Sequence, residues 1–579
     1  MTKLALYASL AASLLCLSAC ATPPAGADLA AAPPPAAKVQ PDPDATPYGL
    51  FLAGRAALHQ GRLADSADYL NDAATAEGEP DFLKLDAFTA SLLAGDVPQA
   101  AALAPANTTA DEDAGPFRLG VVVRGVEALA QGKDKDAYAL LGGPDAGYPH
   151  KAAAELLAPW AAAGAGDVAD AVYRPVFSGD RVAQFAADLG QAELSEREGK
   201  VEDAEAEYKA LASGGDGGAT LIAAYGAFLE RQKLHADAAA LYQAALSAEP
   251  DNPVFAAAKL RVDRHGRPPA MVSIRQGAAE ALVLPAAELV EQKDEKTALE
   301  YLRLALRLDP GQDEAWVMVG DLLADSDDPD GARAAYAEVG PGSDHYLTAR
   351  EKLAWSYQND GDTDQALKVA RDTAAAAPAS REAQITLADL LRENDQYPQS
   401  AAVLDKLIAQ AADKPDWRLF YLRASAYDEA GDWPKAESDL QTALKLSPDE
   451  PELLNFLGYG WIDRGQHLPE GLAMLQKAVD AQPQSGAMID SLGWAYYRNG
   501  DYKTAVDKLE QAVSLEPADP DVNDHLGDAY WRDGRKVEAQ FQWRRVLTLD
   551  PDDATKARVE VKLASPMGVD APVAATQAQ

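Results

Sequence analysis

The side chains best suited to metal binding or acid–base chemistry are the seven histidines. They are His59, His150, His235, His265, His345, His467 and His525. None follows another at the short spacing of two metal ligands on one helix or loop. His525, beside Asp524 and one turn from Asp528, is the strongest candidate, and we interpret it as a groove-facing or capping residue of a helix. Because phosphate-binding glycine loops, HExxH patterns and nucleophile elbows are also missing from the sequence, we predict no enzyme activity, no catalytic residue and no metal site.

Cysteine chemistry is confined to the first twenty residues. Lys3 precedes an apolar run, residues 4–16, that is too short to span a membrane, and the run is followed by Leu17-Ser18-Ala19-Cys20. This arrangement resembles the lipobox of bacterial lipoproteins, which implies cleavage before Cys20 and acylation of its thiol. The covalent lipid on Cys20 is then the only non-protein group expected, and no cofactor is predicted. An ordinary secretory signal peptide is the alternative.

The residues after Cys20 bear on location and partners. Ala21 and Thr22 take the place of the Asp that retains enterobacterial lipoproteins in the inner membrane, so an outer-membrane anchor facing the periplasm is favoured. The Pro- and Ala-rich residues 20–47 read as a tether of about 3 Å per residue, or roughly 80 Å in all. The net charge of −39 argues against nucleic acid as a partner and against membrane contact other than through the lipid.

Three consecutive segments near the C-terminus carry the same residue types at matched positions. The middle segment has Leu492-Gly493, Tyr496, Gly500, Ala505, Leu509, Ala512 and Pro517, and the next, 34 residues on, has Leu526-Gly527, Tyr530, Gly534, Ala539, Trp543, Val546 and Pro551. The preceding segment has Leu457-Gly458, Trp461, Gly465, Gly471, Leu475, Ala478 and Pro483. Small residues let two helices cross closely, the later glycine ends the first helix, and proline closes the second.

These segments resemble tetratricopeptide repeats (TPRs). One such helix pair cannot bury its own apolar face, so the resemblance implies an all-α TPR superhelix, an α-solenoid of about fourteen helix pairs. We predict a signal peptide at 1–19, the lipidated cysteine and tether at 20–47, and a degenerate N-terminal array at 48–262. A Gly-Arg-Pro-Pro segment marks a joint at 263–278, followed by the C-terminal array at 279–560 and a disordered tail at 561–579.

By analogy with TPR superhelices, the first helix of each pair lines a concave groove that binds other proteins. We predict that this groove is lined by aromatic, acidic and Arg side chains, namely Trp355, Tyr459, Asp490, Trp494, Tyr497, Arg498, Asp524, Asp528, Trp531 and Arg532. Aromatic and Arg residues are frequent anchors of protein interfaces. The alternative is that several of them pack inside the array.

A narrower resemblance covers about a hundred residues, from Leu453 to Leu549. It is carried by Leu457-Gly458-Tyr459, Ile489-Asp490-Ser491-Leu492-Gly493-Trp494, Tyr497-Arg498-Asn499-Gly500 and His525-Leu526-Gly527. This stretch is similar to outer-membrane lipoprotein adaptors that deliver substrates to periplasmic carboxy-terminal processing proteases. The resemblance implies a scaffold whose partners are such a protease, or a cell-wall enzyme, and its substrates. A TPR lipoprotein scaffold for exopolysaccharide synthesis or export is the alternative function.

Overall fold

A computed structural model describes residues 46–75, 81–105, 114–214, 218–250, 252–411 and 413–565. These ranges hold thirty α-helices and no strand. The helices are α1 (Pro47–His59), α2 (Leu63–Ala74), α3 (Asp81–Ala94), α4 (Val97–Leu103), α5 (Gly115–Ala130), α6 (Asp134–Leu141), α7 (Lys151–Ala165), α8 (Val168–Ala171), α9 (Arg181–Arg197), α10 (Val201–Gly214), α11 (Gly218–Arg231), α12 (His235–Ala248), α13 (Pro253–Asp263), α14 (Ile274–Glu291), α15 (Glu295–Leu308), α16 (Asp313–Asp325), α17 (Pro329–Glu338), α18 (Tyr346–Asn359), α19 (Thr363–Ala376), α20 (Arg381–Glu393), α21 (Tyr397–Gln410), α22 (Trp417–Glu429), α23 (Trp433–Leu446), α24 (Pro451–Asp463), α25 (Leu468–Ala481), α26 (Gly486–Arg498), α27 (Tyr502–Leu515), α28 (Pro520–Arg532), α29 (Lys536–Val546) and α30 (Asp553–Ala564).

The predicted solenoid of about fourteen helix pairs is confirmed. Over the described ranges, α1–α12 and α14–α29 form fourteen consecutive pairs, with α13 and α30 as single helices. None of these helices is both long and apolar enough to cross a bilayer. The predicted signal peptide, the lipidated Cys20 and nearly all of the tether lie outside the described residues.

The described helices group into two compact units, residues 46–383 and residues 384–565. Within the predicted joint at 263–278, residues 264–273 form no helix, whereas residues 274–278 already belong to α14, which Ser273 caps in a reciprocal capping box with Gln276. The boundary between the two compact units does not fall at this joint. Helix α14 packs back against α7 and α9, and α15 packs against α3, α4 and α5. The helices before and after the joint therefore share one core.

Glycines make the closest helix crossings in the unit formed by residues 384–565. A Cβ at Gly493 would lie 2.7 Å from Leu509 Cγ, and one at Gly527 would lie 2.5 Å from Trp543 Cδ1. Both distances are below ordinary van der Waals contact, so these helix pairs can pack this closely only with glycine at the crossing. Gly500 and Gly534 follow the first helices of the same pairs with φ of 85° and 89°, the left-handed conformation expected at a helix end.

The C-terminal end departs from its predicted boundary. Helix α30 continues to Ala564, so the first four residues of the predicted tail (561–564) are helical. The helix persists because Val559 is fully buried and Lys562 is held by ion pairs to α28, contacts that a repeat pattern does not reveal. The rest of the predicted tail, from residue 566, lies outside the described residues.

Candidate protein-binding surface

The first helices of the last repeats meet through charged pairs. His525 Nδ1 on α28 lies 2.9 Å from Asp490 Oδ2 on α26, and the Asp490 residue is only 6% exposed. Burial by itself would lower the pKa of His525, but attraction and hydrogen bonding to Asp490, with help from Asp524 and Asp521, outweigh it and raise the pKa to about 9. His525 is therefore positively charged at neutral pH and links α28 to α26 through its ion pair with Asp490.

Trp494 of α26 stacks beside this pair. Its ring lies 4.3 Å from the His525 ring and 4.6 Å from the Tyr497 ring, with interplanar angles of 20° and 13°. The Trp494 indole N–H is buried and has no hydrogen-bond partner. Stacking on a cationic imidazole is favourable for the electron-rich indole face, so this contact holds the Trp494 ring in place, and the residue as a whole is only partly buried.

The two predicted acidic groove residues of α28 face α30. Asp524, 1% exposed, accepts hydrogen bonds from Lys562 Nζ at 2.7 Å and Arg558 Nε at 2.9 Å. Asp528 accepts from Lys562 Nζ at 2.8 Å and from the Trp543 indole at 3.1 Å. Burial raises the pKa of Asp528 to about 6 against the opposing attraction of Lys562. These carboxylates are joined to other helices and do not line a groove.

Two predicted aromatic groove residues belong to the core. Tyr497 and Trp531 are 5% and 8% exposed and share one hydrophobic cluster, in which the Trp531 ring lies 5.5 Å from the Trp543 ring. Each ring packs against the second helix of its own repeat, since the Tyr497 ring lies 5.6 Å from the Tyr502 ring on α27 and Trp543 belongs to α29. Asp490, Tyr497, Asp524, Asp528 and Trp531 are therefore corrected from groove-lining to packing positions.

Five predicted residues are only partly buried and keep exposed surface: Trp355, Tyr459, Trp494, Arg498 and Arg532. Tyr459 and Trp494 pack on the same hydrophobic cluster, at matching positions of consecutive repeats. Arg498 lies 3.4 Å from Asp463, and Arg532 covers the Tyr502 ring at 4.6 Å and hydrogen-bonds its hydroxyl. Trp355 lies on α18, in the other compact unit. The structure thus brings Tyr459, Trp494 and Arg498 together as the candidate surface.

A ladder of ion pairs between repeats was missed in the sequence. It consists of Asp428–Arg464 at 2.6 Å, Asp463–Arg498 at 3.4 Å and Asp490–His525 at 2.9 Å, with spacings of 36, 35 and 35 residues. The repeat length itself was the available signal, since an acid and a base one repeat apart occupy facing positions on neighbouring first helices.

Among the described residues, no group of three or more His, Cys, Asp or Glu side chains is placed to hold a metal ion.

The Asp490–His525 pair makes stability depend on pH. Since the folded pKa of His525, about 9, exceeds its ordinary value of 6.5, the pair's contribution is complete below about pH 6.5 and is lost as the pH rises through 9. Urea unfolding of the natural protein and of the His525→Gln variant, at pH 6 and pH 10, measures the contribution of this pair to the free energy of unfolding. We expect the stability difference between the two proteins to be larger at pH 6. An equal difference at both pH values would contradict the charged pair.

Family comparisons agree with this geometry. A family model described as "TPR repeat" matches residues 493–534, one described as "Tetratricopeptide repeat" matches 359–425, and a second of that description matches 36–81, 288–344 and 421–486. The repeats of this chain are TPRs. TPR arrays present extended surfaces to other proteins, and the chain is accordingly a protein-interaction scaffold of a typically non-catalytic class.

Individual relatives extend the comparison. The TPR repeat-containing protein PA4667 of Pseudomonas aeruginosa is 30% identical over 190 residues, which are 32% of this chain and 32% of that protein. The chain therefore matches about a third of that relative's length. Among solved structures, MamA MSR-1 is 20% identical, with 29% of this chain and 94% of that chain covered and a TM-score of 0.25. The APC/C hetero-tetramer Cut9–Hcn1 is 14% identical, with 90% and 96% covered and a TM-score of 0.35.

Proposed function

We propose that this TPR protein is a membrane-anchored periplasmic adaptor that brings a protease or a cell-wall enzyme together with its substrate. The observation that carries the proposal is the pair of partly exposed aromatic rings, Tyr459 and Trp494, at matching positions of consecutive repeats. Arg498 lies one turn beyond Trp494 on the same helix. Aromatic rings with an adjacent Arg are the side chains that most often anchor protein interfaces, because they bury large areas with few rotatable bonds.

The anchor completes the proposed function. A lipid on Cys20 would attach the chain to the outer membrane, and the Pro- and Ala-rich residues 20–47 would give the TPR array reach into the periplasm. Holding an enzyme and its substrate on one tethered array raises their effective concentration without any new chemistry. The strongly acidic composition keeps such a surface-rich array soluble.

Removing the two aromatic rings tests the proposed surface. We expect a double variant, Tyr459→Ala with Trp494→Ala, to weaken binding of the partner at least about tenfold, because two interface anchors are lost. A matched control, Tyr48→Ala with Tyr173→Ala, removes two rings that are 70% and 66% exposed in the other compact unit, and it should leave the affinity unchanged. Affinity is measured by surface plasmon resonance, with circular dichroism as the check on folding. Equal affinities of the two double variants would contradict this surface.

The partner itself is identified by affinity capture from detergent-solubilised envelopes, followed by mass spectrometry. Recovery of a carboxy-terminal processing protease by the natural chain, with loss on the Tyr459/Trp494 double variant, supports the adaptor. Recovery of polysaccharide-export components with no protease contradicts the adaptor and supports the exopolysaccharide scaffold.

The lipid anchor is tested separately by fractionating cells that carry a Cys20→Ala variant. A variant that leaves the membrane fraction supports lipidation, whereas one that stays membrane-bound contradicts it.

A further inference from the structure

A cleft of about 510 Å³ lies inside the compact unit of residues 46–383. It forms where α14 and α15 fold back onto α3, α5, α7 and α9. Its apolar wall includes Phe88, Leu119, Leu156, Leu282 and Leu289. The volume falls within the range of small-molecule and side-chain pockets, and it is more than packing defects leave in an ordinary core.

A buried carboxyl group lines this cleft. Glu300 on α15 is only 3% exposed, and the nearest cation is Lys296 Nζ at 3.8 Å, which is longer than a hydrogen bond. Burial raises the pKa of Glu300 to about 7, with Lys296 opposing the shift. Burying a carboxyl group whose nearest cation lies beyond hydrogen-bond distance costs free energy. Such a residue is typical of a binding site that awaits a charged ligand.

The rest of the cleft is also acidic. Asp180, Glu288 and Asp294 line it from the N-terminal end of α9, from α14 and from the loop before α15, and Lys296 is the one lysine or arginine in its lining. His150 also lines the cleft, and its Nδ1 shares a hydrogen bond of 3.0 Å with the Tyr301 hydroxyl. Burial lowers the pKa of His150 to about 4, so the imidazole is neutral at physiological pH. The cleft therefore pairs excess negative charge with an apolar wall.

We propose that this cleft binds a primary ammonium group carried on an aliphatic chain, with the ammonium at Glu300 and the methylenes against the apolar wall. The Lys296 side chain is 63% exposed, so its ammonium can leave and be replaced by that of the ligand. Such a group is supplied either by a lysine side chain of a bound polypeptide or by a free alkylamine. The site is independent of the Tyr459–Trp494 surface, and its test does not depend on that surface.

Calorimetric titration of the full chain with n-hexylamine, and with n-hexanol as a neutral ligand of equal length, tests the charge requirement. At pH 8 we expect n-hexylamine to bind at least about tenfold more tightly than n-hexanol, and Glu300→Gln to remove most of that preference. Glu291→Gln is the matched control, because Glu291 is exposed on α14 and does not line the cleft. Equal binding of the two ligands, or an unchanged affinity in Glu300→Gln, overturns the proposal.

Two further measurements sharpen the result. Lys296→Ala removes an exposed competitor without disturbing the core, and we expect it to tighten n-hexylamine binding about threefold or more. A weaker or unchanged affinity would contradict the exchange of one ammonium for the other.

The N-acetylated, C-amidated peptide Ala-Ala-Lys-Ala-Ala distinguishes the two sources of the ammonium group, a polypeptide lysine and a free alkylamine. Binding of this peptide about tenfold tighter than n-hexylamine indicates a polypeptide ligand, and no tighter binding indicates a free alkylamine.

Discussion

Replacing Lys562 by Met is expected to lower the free energy of unfolding of the C-terminal repeats by about 3 kcal/mol. Lys562 is 13% exposed and its ammonium bridges Asp524 and Asp528, which are 1% and 7% exposed. Methionine keeps most of the side-chain volume but leaves two buried carboxyl groups without that cation. Breaking one partner of a buried pair is costly because the remaining charge is desolvated and uncompensated. Arg558 still contacts Asp524, which keeps the loss from being larger.

Urea unfolding followed by circular dichroism at pH 7.5 measures the effect. Lys556→Met on the same helix is the matched control, since Lys556 is exposed, and its stability should change by less than about 0.5 kcal/mol. A triple variant, Lys562→Met with Asp524→Asn and Asp528→Asn, should recover part of the lost stability, because it removes the uncompensated charges. Failure of the triple variant to recover any stability would show that packing, not charge, explains the loss.

Replacing Trp160 by Ala is expected to destabilise the other compact unit by about 3–5 kcal/mol. Trp160 on α7 is 1% exposed and is one of the largest fully buried side chains. Its ring lies under two glycines: a Cβ at Gly277 of α14 would fall 2.0 Å from Trp160 Cη2, and one at Gly190 of α9 would fall 3.3 Å from Nε1. The indole thus fills the space between α7, α9 and α14, and alanine would leave a cavity there.

The converse change tests the same contact. Gly277→Ala should cost about 1–3 kcal/mol, since the added methyl overlaps a rigid ring that has no room to move. Trp316→Ala is the matched control: Trp316 is only partly buried on α16, and it should cost clearly less than Trp160→Ala. Chemical denaturation gives the free energies, and amide hydrogen exchange in α14 shows whether the fold-back opens. Equal losses for Trp160→Ala and Trp316→Ala would contradict the proposed core.

Repeat positions with a steric role were predictable from the sequence. Gly493 and Gly527 had to be small because another helix crosses at each of them, and Gly500 and Gly534 had to take positive φ at helix ends. These requirements are local and recur every 34 residues, so they leave a visible pattern. The helix count followed for the same reason, since each pair repeats the same short-range constraints.

The candidate surface was only partly predictable. Trp494 and Tyr497 are three residues apart on one helix, yet Trp494 keeps exposed surface and Tyr497 is 5% exposed. A sequence pattern places both near the groove, but contact with the neighbouring helix decides which of them is covered, and the Tyr497 ring packs against Tyr502 of α27. Asp524 was assigned to the groove for the same reason, and α30, which belongs to no complete repeat, covers it.

The sequence alone determined the class of fold, the repeat spacing and the residues that must be small at helix crossings, because these depend on contacts within one helix pair. Only the tertiary structure decided that α14 and α15 fold back onto α3, α5, α7 and α9, that Glu300 lines a cleft, and that Lys562 forms ion pairs with two buried carboxylates. Contacts in this unit join residues as far as 210 positions apart; the Arg303 guanidinium, for example, donates to the Leu93 carbonyl. Contacts at that separation depend on how many helices of one compact unit pack together, which no single repeat encodes.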